Sequence, residues 1–373
     1  MRMRLLAAAV MVGAVAPVAL AAPPPVAARA YIVVNTDTNE VLAALQPDKR
    51  MAMASTTKLM TAIVTMKSVR LTDVATVPAA AVDAGGSSAG LVAGERLRVR
   101  DLVAGLMIGS GNDAAVTLAT RVGGSVPTFV AMMNREAVAL GLTNTHFANP
   151  HGLDAPGHYS TVRDLVAMGR YAREEYPFIR ATVRNRSIRI PGPNGVGTRL
   201  LESENDLLGI DKEADGVKTG HTDDAGYSIV AHATDPTRKM GIYVAMIGEP
   251  NRDQRAVDAK RLLDWAFRQY ARVGLLDANQ TVIEVPVRDR PNVRVSLVSQ
   301  APLAATVKLG ASMTREITAP PEIVSPAQKG QIVGSVRYMV GDRVIGARKL
   351  VVGADVAEPS PFERIRAGLG RVL

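Results

Sequence analysis

The sequence of 373 residues contains no cysteine, a single tryptophan and few aromatic side chains, which make up 4% of the chain. The absence of cysteine excludes disulfide bonds, thiolate metal ligands and a cysteine nucleophile. With 47% hydrophobic and 21% charged residues, the composition is that of an ordinary globular protein, whose core must be mainly aliphatic. The length predicts two domains, or one large domain with an appendage.

A dense basic stripe is also lacking, although 44 Lys and Arg against 35 Asp and Glu give a net charge of +9. Proteins that bind nucleic acids usually carry such a stripe with interleaved aromatic residues. Residues 1–21 and residues 361–373 each contribute a net charge of +2, and the rest is spread over the body of the chain. We therefore expect no nucleic-acid partner.

The first 21 residues have the three parts of a secretory signal. Arg2 and Arg4 precede the apolar run 5–15, and Ala19-Leu20-Ala21 supplies the small residues of a cleavage site. The alternative, an N-terminal membrane anchor, is disfavoured because the run falls short of the ~20 apolar residues of a span. We expect residues 1–21 to be removed and the protein to be exported to the periplasm.

The last segment, residues 359–373, has the spacing of a short amphipathic helix. Phe362, Ile365, Leu369 and Val372 recur on one helical face, with arginines opposite. Such a helix could lie in a membrane interface and attach the protein peripherally to the outer face of the cytoplasmic membrane. Two glycines weaken the helix, so a solvated tail is the alternative.

Between the two ends, the pattern predicts an α+β domain at 31–275 and a small all-β domain at 276–358. Residues 22–30, rich in proline and alanine, form a linker before them. The all-β segment offers no nucleophile paired with a base, so we expect it to position or dock the first domain. The predicted elements of the first domain are a hairpin at 31–45, helices at 55–69, 100–122, 127–141, 161–175 and 253–271, and strands near 215–219, 226–233 and 239–247.

Three short motifs can carry chemistry. Ser55 and Lys58 are one helical turn apart, so a lysine of lowered pKa could take the proton of the serine hydroxyl. Ser110-Gly111-Asn112 lies in a glycine-broken loop between two apolar helical stretches, from which side chains can reach a cleft. Lys218-Thr219-Gly220 is predicted at a strand edge, where glycine lets a substrate backbone approach. Each motif alone also suits an ordinary helix start, turn or strand end.

In this order, S-x-x-K, S-x-N and K-T-G match the signature of penicillin-recognising serine acyltransferases. Met53–Thr61, Gly109–Ala114, Phe147–Leu153 and Asp215–Thr222 further resemble the low-molecular-mass D-alanyl-D-alanine carboxypeptidases, which are penicillin-binding proteins of peptidase family S11. The resemblance covers essentially the whole mature chain. It implies a penicillin-binding/β-lactamase-like serine transpeptidase fold followed by a small all-β domain. Met53 replaces the proline usual in the family, which should affect only the loop before the helix.

The resemblance also implies a reaction. Ser55 would attack the carbonyl between the two terminal D-alanines of a peptidoglycan stem peptide, with Lys58 as its base. Ser110 would relay the proton to the leaving D-alanine, and water would release the acyl-enzyme. β-Lactam inhibitors would acylate the same serine. The resemblance implies no metal and no cofactor.

The same resemblance implies that five further residues bind the substrate. Asn112 would hold the substrate amide, and Lys218 and Thr219 would bind the terminal carboxylate. Gly220 belongs to the same strand edge. The backbone N–H of His221, together with that of the nucleophile, would form the oxyanion hole.

Four alternatives stay open from the sequence. A class A β-lactamase would need a glutamate between the second and third motifs, and the chain has none between Glu136 and Glu174. An endopeptidase of the same family usually lacks the β-domain. A metal-dependent D,D-peptidase would use His146, His151 and His158, whose spacing does not place them on one helix face. A non-catalytic envelope-shaping or cell-wall-binding protein would not need the intact motifs.

Overall fold

The computed structural model describes residues 6–14, 21–288, 290–358 and 360. The chain forms two compact units: residues 22–268, here the mixed unit, and residues from 269 onward with the segment up to residue 21, here the β unit. The first strand, β1 (Leu6–Ala14), belongs to the β unit.

The mixed unit combines strands and helices in alternation, as the α+β pattern predicts. Its strands are β2 (Ala30–Asn35), β3 (Val41–Leu45), β4 (Val74–Thr76), β5 (Arg96–Arg98), β6 (Ser187–Pro191), β7 (Thr198–Glu202), β8 (Ala214–Thr222), β9 (Gly226–Asp235) and β10 (Met240–Glu249). Its α-helices are α1 (Lys58–Ser68), α2 (Ala79–Val82), α3 (Val99–Met107), α4 (Asn112–Gly123), α5 (Val126–Ala139), α6 (Val162–Glu175), α7 (Pro177–Val183), α8 (Leu207–Ile210) and α9 (Arg252–Arg268). Two short 3-10 helices, Ala54–Thr57 and Pro193–Gly195, complete it.

A five-stranded antiparallel sheet forms the framework of the mixed unit, in the order β3-β2-β10-β9-β8. Its inner strands β2, β9 and β10 are buried almost throughout, which explains their nearly continuous apolar sequence. Strand β8 lies at one edge of this sheet. The Lys218-Thr219-Gly220 motif therefore lies on an edge strand, as predicted.

Helix α1 lies at the centre of the unit. Leu59, Met60 and Ile63 are fully buried and belong to the same apolar cluster as residues of α3, α4, α5 and α6. The residues of this helix are buried from Lys58 to Thr65, and the side chains of Lys58 and Thr61 are hydrogen-bonded to protein atoms. The chain leaves α3 at Met107 and enters α4 at Asn112, so the predicted loop at 110–111 separates two buried helices.

The β unit is built from antiparallel strands around an apolar core that includes Val287, Leu297, Val336 and Leu350. One sheet has six strands in the order β1-β15-β16-β17-β13-β12, and a second pairs β11 with β14. The strands of this unit after β1 are β11 (Tyr270–Leu276), β12 (Thr281–Val287), β13 (Arg290–Ser299), β14 (Leu303–Lys308), β15 (Ser312–Ala319), β16 (Ile332–Val340) and β17 (Arg343–Val352).

Three of the differences between the structure and the sequence-based prediction concern the division into units and the hairpin β6–β7. The two units divide between Arg268 and Gln269, not after Leu275, because β11 pairs with β14 and so belongs to the β unit. The predicted helix at 253–271 ends at Arg268 for the same reason. The hairpin β6–β7 was not predicted, since its strands are largely exposed and lack a clear apolar alternation.

The predicted amphipathic helix at 359–373 lies outside the described residues, apart from Ser360. Within the described part of the chain, the helices are too short or too polar to cross a membrane.

Candidate active site

The first motif forms a serine–lysine pair at the start of α1. Ser55 lies in the 3-10 turn Ala54–Thr57 that leads into the helix, and its side chain is half-buried. Lys58, one turn later, donates from Nζ to Ser55 Oγ at 2.8 Å. The i,i+3 spacing read from the sequence thus becomes a direct hydrogen bond.

Lys58 is fully buried and has two further partners. Its Nζ donates to Asn112 Oδ1 at 2.7 Å and to the carbonyl oxygen of His151 at 2.9 Å. Burial lowers the pKa of Lys58 well below its usual value, and the positive charge of Lys218 lowers it further. A lysine in this setting readily loses a proton, and its neutral amine can then accept the proton of Ser55.

The second motif lines the site from the loop between α3 and α4. Ser110 is fully buried and has a positive φ of 53°, which turns the chain sharply before α4. Asn112, the first residue of α4, directs Oδ1 at Lys58 and donates from Nδ2 to the carbonyl oxygen of Gly85 at 2.7 Å. The Asn112 side chain is therefore fixed by hydrogen bonds to Lys58 on one side and to the Gly85 backbone on the other.

The third motif approaches the second from the edge strand β8. Lys218 is 2% exposed and donates from Nζ to Ser110 Oγ at 3.1 Å and to the carbonyl oxygen of Thr219 at 2.9 Å. Burial lowers the pKa of Lys218 to about 8. The carboxylate of Glu204 acts to raise this pKa, and the positive charge of Arg255 lowers it further. Lys218 therefore keeps its positive charge at neutral pH but loses it in mildly alkaline solution.

Two glycines allow the backbone segments to meet at the nucleophile. A Cβ at Gly220 would lie 2.6 Å from the backbone nitrogen of Ser55, so β8 passes directly against the turn that carries the serine. A Cβ at Gly152, whose φ is +99°, would lie 2.0 Å from the carbonyl oxygen of Ala54. Neither position tolerates a side chain without movement of backbone.

His221 and Thr219 flank Gly220 on β8. Thr219 is buried, whereas the imidazole of His221 is exposed and stacks on Tyr227 of β9, with the ring centroids 4.0 Å apart. The predicted role of the His221 backbone N–H depends on the close approach of β8 to Ser55 that Gly220 permits.

The histidines considered for a metal site have protein partners instead. His158 Nδ1 accepts from the backbone N–H of Ala148 at 3.0 Å, and its Nε2 contacts Thr57 Oγ1 at 2.8 Å. Burial lowers the pKa of His158 to about 4, so the neutral ring donates to Thr57. The other two make local contacts: His146 Nδ1 with the carbonyl oxygen of Gly157, and His151 Nδ1 with the N–H of Leu153.

Asp113 is a structural part of the site that the sequence analysis did not single out. Its carboxylate is 3% exposed and accepts from the backbone N–H groups of Ala89 and Leu91 and from the hydroxyl of Ser88, at 2.6–3.0 Å. It thereby ties the loop 85–91 to the start of α4. An acidic residue in the first turn of a helix is a recognisable signal, but which loop it binds is not readable from sequence.

Glu204 and Arg255 also reach this region without a sequence signal. Arg255, 2% exposed on α9, donates from Nη2 to the carbonyl oxygen of Glu204 at 2.7 Å. The carboxylate of Glu204 raises the pKa values of both Lys58 and Lys218 by Coulomb attraction. Glu204 therefore favours the charged form of both buried lysines, whereas Arg255 disfavours the charged form of Lys218.

Comparison with known proteins identifies the family. Residues 17–250 match peptidase S11, described as D-alanyl-D-alanine carboxypeptidase. The chain belongs to this family. Residues 270–358 match the C-terminal domain of penicillin-binding protein 5. The resemblance inferred from the motifs is thus confirmed, and an acyl-enzyme mechanism and acylation by β-lactams are typical of the family.

Relatives in other bacteria match over most of the chain. The D-alanyl-D-alanine carboxypeptidase DacA of Haemophilus influenzae is 31% identical over 356 residues, which are 92% of this chain and 88% of the relative. DacC of Escherichia coli is 34% identical over 92% of this chain and 87% of its own length.

Solved structures of the family show the same fold. Penicillin binding protein 5 from Haemophilus influenzae aligns with a TM-score of 0.65 at 30% identity, over 91% of this chain and all of that one. The Streptomyces K15 DD-transpeptidase aligns with a TM-score of 0.63 at 29% identity, over 66% of this chain and all of that one. The predicted penicillin-binding fold with a C-terminal all-β region is confirmed.

Proposed function

We propose that this protein is a serine-type D-alanyl-D-alanine carboxypeptidase that removes the terminal D-alanine from peptidoglycan stem pentapeptides and so limits cross-linking. The observation that carries the proposal is the 2.8 Å hydrogen bond between Lys58 Nζ and Ser55 Oγ, formed by a buried lysine of lowered pKa. Asn112 joins the pair through a direct hydrogen bond from Lys58, and Lys218 is hydrogen-bonded to Ser110 beside it.

Acylation begins when neutral Lys58 takes the proton of Ser55 and the serine oxygen attacks the carbonyl between the two D-alanines. Negative charge develops on the carbonyl oxygen in the tetrahedral intermediate. The backbone N–H groups of Ser55 and His221 stabilise this charge as an oxyanion hole.

Departure of D-alanine requires a proton on its nitrogen. Ser110 accepts a hydrogen bond from Lys218, so its own hydroxyl proton is free to pass to the leaving nitrogen, and Ser110 then takes up the proton that Lys58 removed from Ser55. Lys218 and Thr219 bind the terminal carboxylate, because a buried cation with few competing partners interacts strongly with an anionic group. Asn112 orients the substrate amide.

Water then attacks the ester on Ser55 while Lys58 takes one of its protons, and Lys58 returns that proton to the Ser55 oxygen as the shortened peptide is released. A β-lactam ring presents a carbonyl and a nearby carboxylate in the same relation, so it acylates Ser55 by the same steps. The histidines near the site contribute through hydrogen bonds to the loop and to the helix that carry it.

Export and membrane attachment are part of the proposal. Residues 1–21 act as a secretory signal, and residues 359–373 attach the mature protein peripherally to the outer face of the cytoplasmic membrane. Removal of the signal would take β1 from the edge of the six-stranded sheet and leave β15 as an edge strand. Deletion of residues 360–373 should move the protein from the membrane to the soluble fraction; unchanged fractionation contradicts the attachment.

The deciding experiment incubates the mature protein with a labelled penicillin and with a D-Ala-D-Ala pentapeptide. We expect a covalent adduct on Ser55 by mass spectrometry and release of D-alanine, both unaffected by EDTA and both lost in Ser55→Ala. An adduct without D-alanine release contradicts carboxypeptidase activity. Cleavage of a cross-linked peptide dimer under those conditions would instead favour the endopeptidase alternative.

A further inference from the structure

The edge strand β8 has an irregularity just before the third motif. Ala214 pairs with Ala233 of β9, but Gly216 pairs with His232, so Asp215 is the extra residue of a β-bulge. A bulge bends the strand, increases its twist and re-aims the side chains beside it, and bulges are frequent next to active sites. The bulge at Asp215 therefore sets the pairing of every later residue of β8.

The bulge decides which face of the sheet the Lys218 side chain occupies. In the observed register Lys218 pairs with Val230, and directly opposite residues of an antiparallel pair share a face. If Asp215 were drawn into the ladder, each later residue would move by one position and Lys218 would pair with Ile229. A slip of one residue turns a side chain to the other face, so the hydrogen bond from Lys218 to Ser110 would be lost.

The carboxylate of Asp215 is fixed by two buried partners. Arg173 of α6 donates from Nη2 to Oδ2 at 2.7 Å, and His232 donates from Nδ1 to Oδ1 at 2.6 Å. Arg173 and His232 are each 5% exposed. Burial lowers the pKa of His232, so the ring is neutral at pH 7, and Nδ1 carries its proton because a carboxylate can only accept. The extra residue is therefore tied both to β9 and to a helix.

The two partners are themselves held in place by β10. Arg173 Nη1 donates to the hydroxyl of Tyr243 at 3.3 Å, and the rings of Tyr243 and His232 pack with their centroids 4.4 Å apart. Gly241 leaves room for the imidazole, since a Cβ at that position would lie 2.7 Å from His232 Nε2. The side chains around Asp215 thus join α6, β8, β9 and β10.

We propose that Arg173, Asp215 and His232, here the bulge cluster, are positioning residues that hold β8 in the register that directs Lys218 at Ser110 and at the substrate carboxylate. They act through Lys218, which lies about 10 Å further along the extended strand. The cluster needs both partners of Asp215, because removal of one leaves a buried charged group without full compensation. This inference rests on the proposed function, in which Lys218 binds the carboxylate.

The test compares acylation by benzylpenicillin with acylation by its methyl ester, which lacks the negative charge that Lys218 binds. The measured quantity is the acid/ester ratio, the acylation rate constant for the acid divided by that for the ester. In His232→Leu this ratio should fall by about 10–10²-fold, because misplacing a binding group by about 1 Å has effects of that size. A merely structural role lowers the fraction of active protein, which reduces both rates equally. An unchanged ratio in this variant overturns the proposal.

Two further variants on β9 test the hydrogen bond to Asp215. His232→Asn keeps a donor near the position of the imidazole Nδ1, so its acid/ester ratio should return to near the wild-type value. Thr234→Ala changes an exposed residue two positions further along the same face of β9 and should behave like the wild type. A ratio as low in either variant as in His232→Leu contradicts the role given to the hydrogen bond.

Asp215→Asn provides a second test if His232→Leu folds poorly. Asparagine preserves the volume of the side chain but removes the charge that pairs with Arg173, so the acid/ester ratio should fall here as well. In Lys218→Ala the ratio is already low, and adding Asp215→Asn should not lower it further. A further fall would show that the cluster acts on the carboxylate by a route other than Lys218 and would contradict the proposal.

Failure of the positioning role is distinguishable from failure of the proposed function. Wild-type protein that neither benzylpenicillin nor its ester acylates would overturn the proposed function. The crystal structure of Asp215→Asn would then still test the cluster, since Lys218 Nζ should lie beyond hydrogen-bonding distance of Ser110 Oγ. An acylated wild type with an unchanged ratio in both His232→Leu and Asp215→Asn would overturn the positioning role alone.

Discussion

The two units of the molecule differ in what they bury. In the mixed unit, Lys58, Asp113, Lys218, Arg255 and Asp258 are each at most 3% exposed. In the described part of the β unit, the buried polar residues are Gln269 and Ser299, and neither carries a charge. One unit therefore holds ionisable groups in its interior, and the other is stabilised by an apolar core and strand pairing.

The difference shows where the molecule gives up stability for chemistry. Burying a charge costs free energy unless partners compensate it, and it shifts the pKa of the group. Lys58 is suited to its proposed role as a base for this reason, since burial favours its neutral amine. Lys218, whose proposed role needs a positive charge, keeps that charge at neutral pH although burial lowers its pKa to about 8. Changes in the mixed unit should therefore alter the reaction first, and changes in the β unit should alter stability first.

The largest effect is expected for Lys58→Met. Loss of the base should slow acylation by penicillin by about 10²–10⁴-fold, the usual contribution of a general base. Methionine fills a similar volume without a buried amine, so the melting temperature should not fall. Stopped-flow acylation and calorimetry measure the two quantities, with the exposed Lys212→Met as control. An acylation rate close to that of the wild type would show that Lys58 is not the base.

Gly152→Ala should affect both activity and stability. The positive φ and the clash with Ala54 force strain of about 1–3 kcal/mol into the turn that carries Ser55. The matched variant Gly274→Ala, in the β unit, places its Cβ where no atom lies within 4 Å and should change neither quantity. Unfolding in urea and D-alanine release test both. Equal effects of the two substitutions would contradict the contrast between the units.

The pH dependence of kcat/KM tests the two lysines separately. Activity should rise as pH passes the lowered pKa of Lys58, because the neutral amine is the base. It should fall above about pH 8, because Lys218 then loses the charge that binds the carboxylate. In Lys218→Arg the alkaline decline should move to higher pH, since arginine stays protonated. If the decline near pH 8 persists in this variant, the decline comes from the titration of a group other than Lys218.

The smallest effect is expected for Tyr338→Phe in the β unit. The hydroxyl of Tyr338 donates to the carbonyl oxygen of Leu275 at 2.9 Å, and its loss should cost about 0.5–1.5 kcal/mol of unfolding free energy. D-alanine release should not change. Tyr243→Phe in the mixed unit should cost more, because it deprives the buried guanidinium of Arg173 of a partner. A loss of activity in Tyr338→Phe would assign the β unit a part in catalysis.

The sequence by itself determined the local features of this protein. The pairing of Ser55 with Lys58 depends only on helical spacing, and the break before Asn112 depends on glycine in a short loop. Apolar periodicity was sufficient to predict the strands of the main sheet and the helices around α1. The order of the three motifs was sufficient to identify the family, because motif identity does not depend on how the chain packs.

Only the tertiary structure decided which distant residues meet. Lys58 contacts Asn112, Lys218 contacts Ser110 and Gly152 lies against Ala54 because buried helices and an edge strand pack together. The lowered pKa values follow from that burial, which no local pattern encodes. The boundary after Arg268 arises in the same way, since the pairing of β11 with β14 joins segments far apart in the chain.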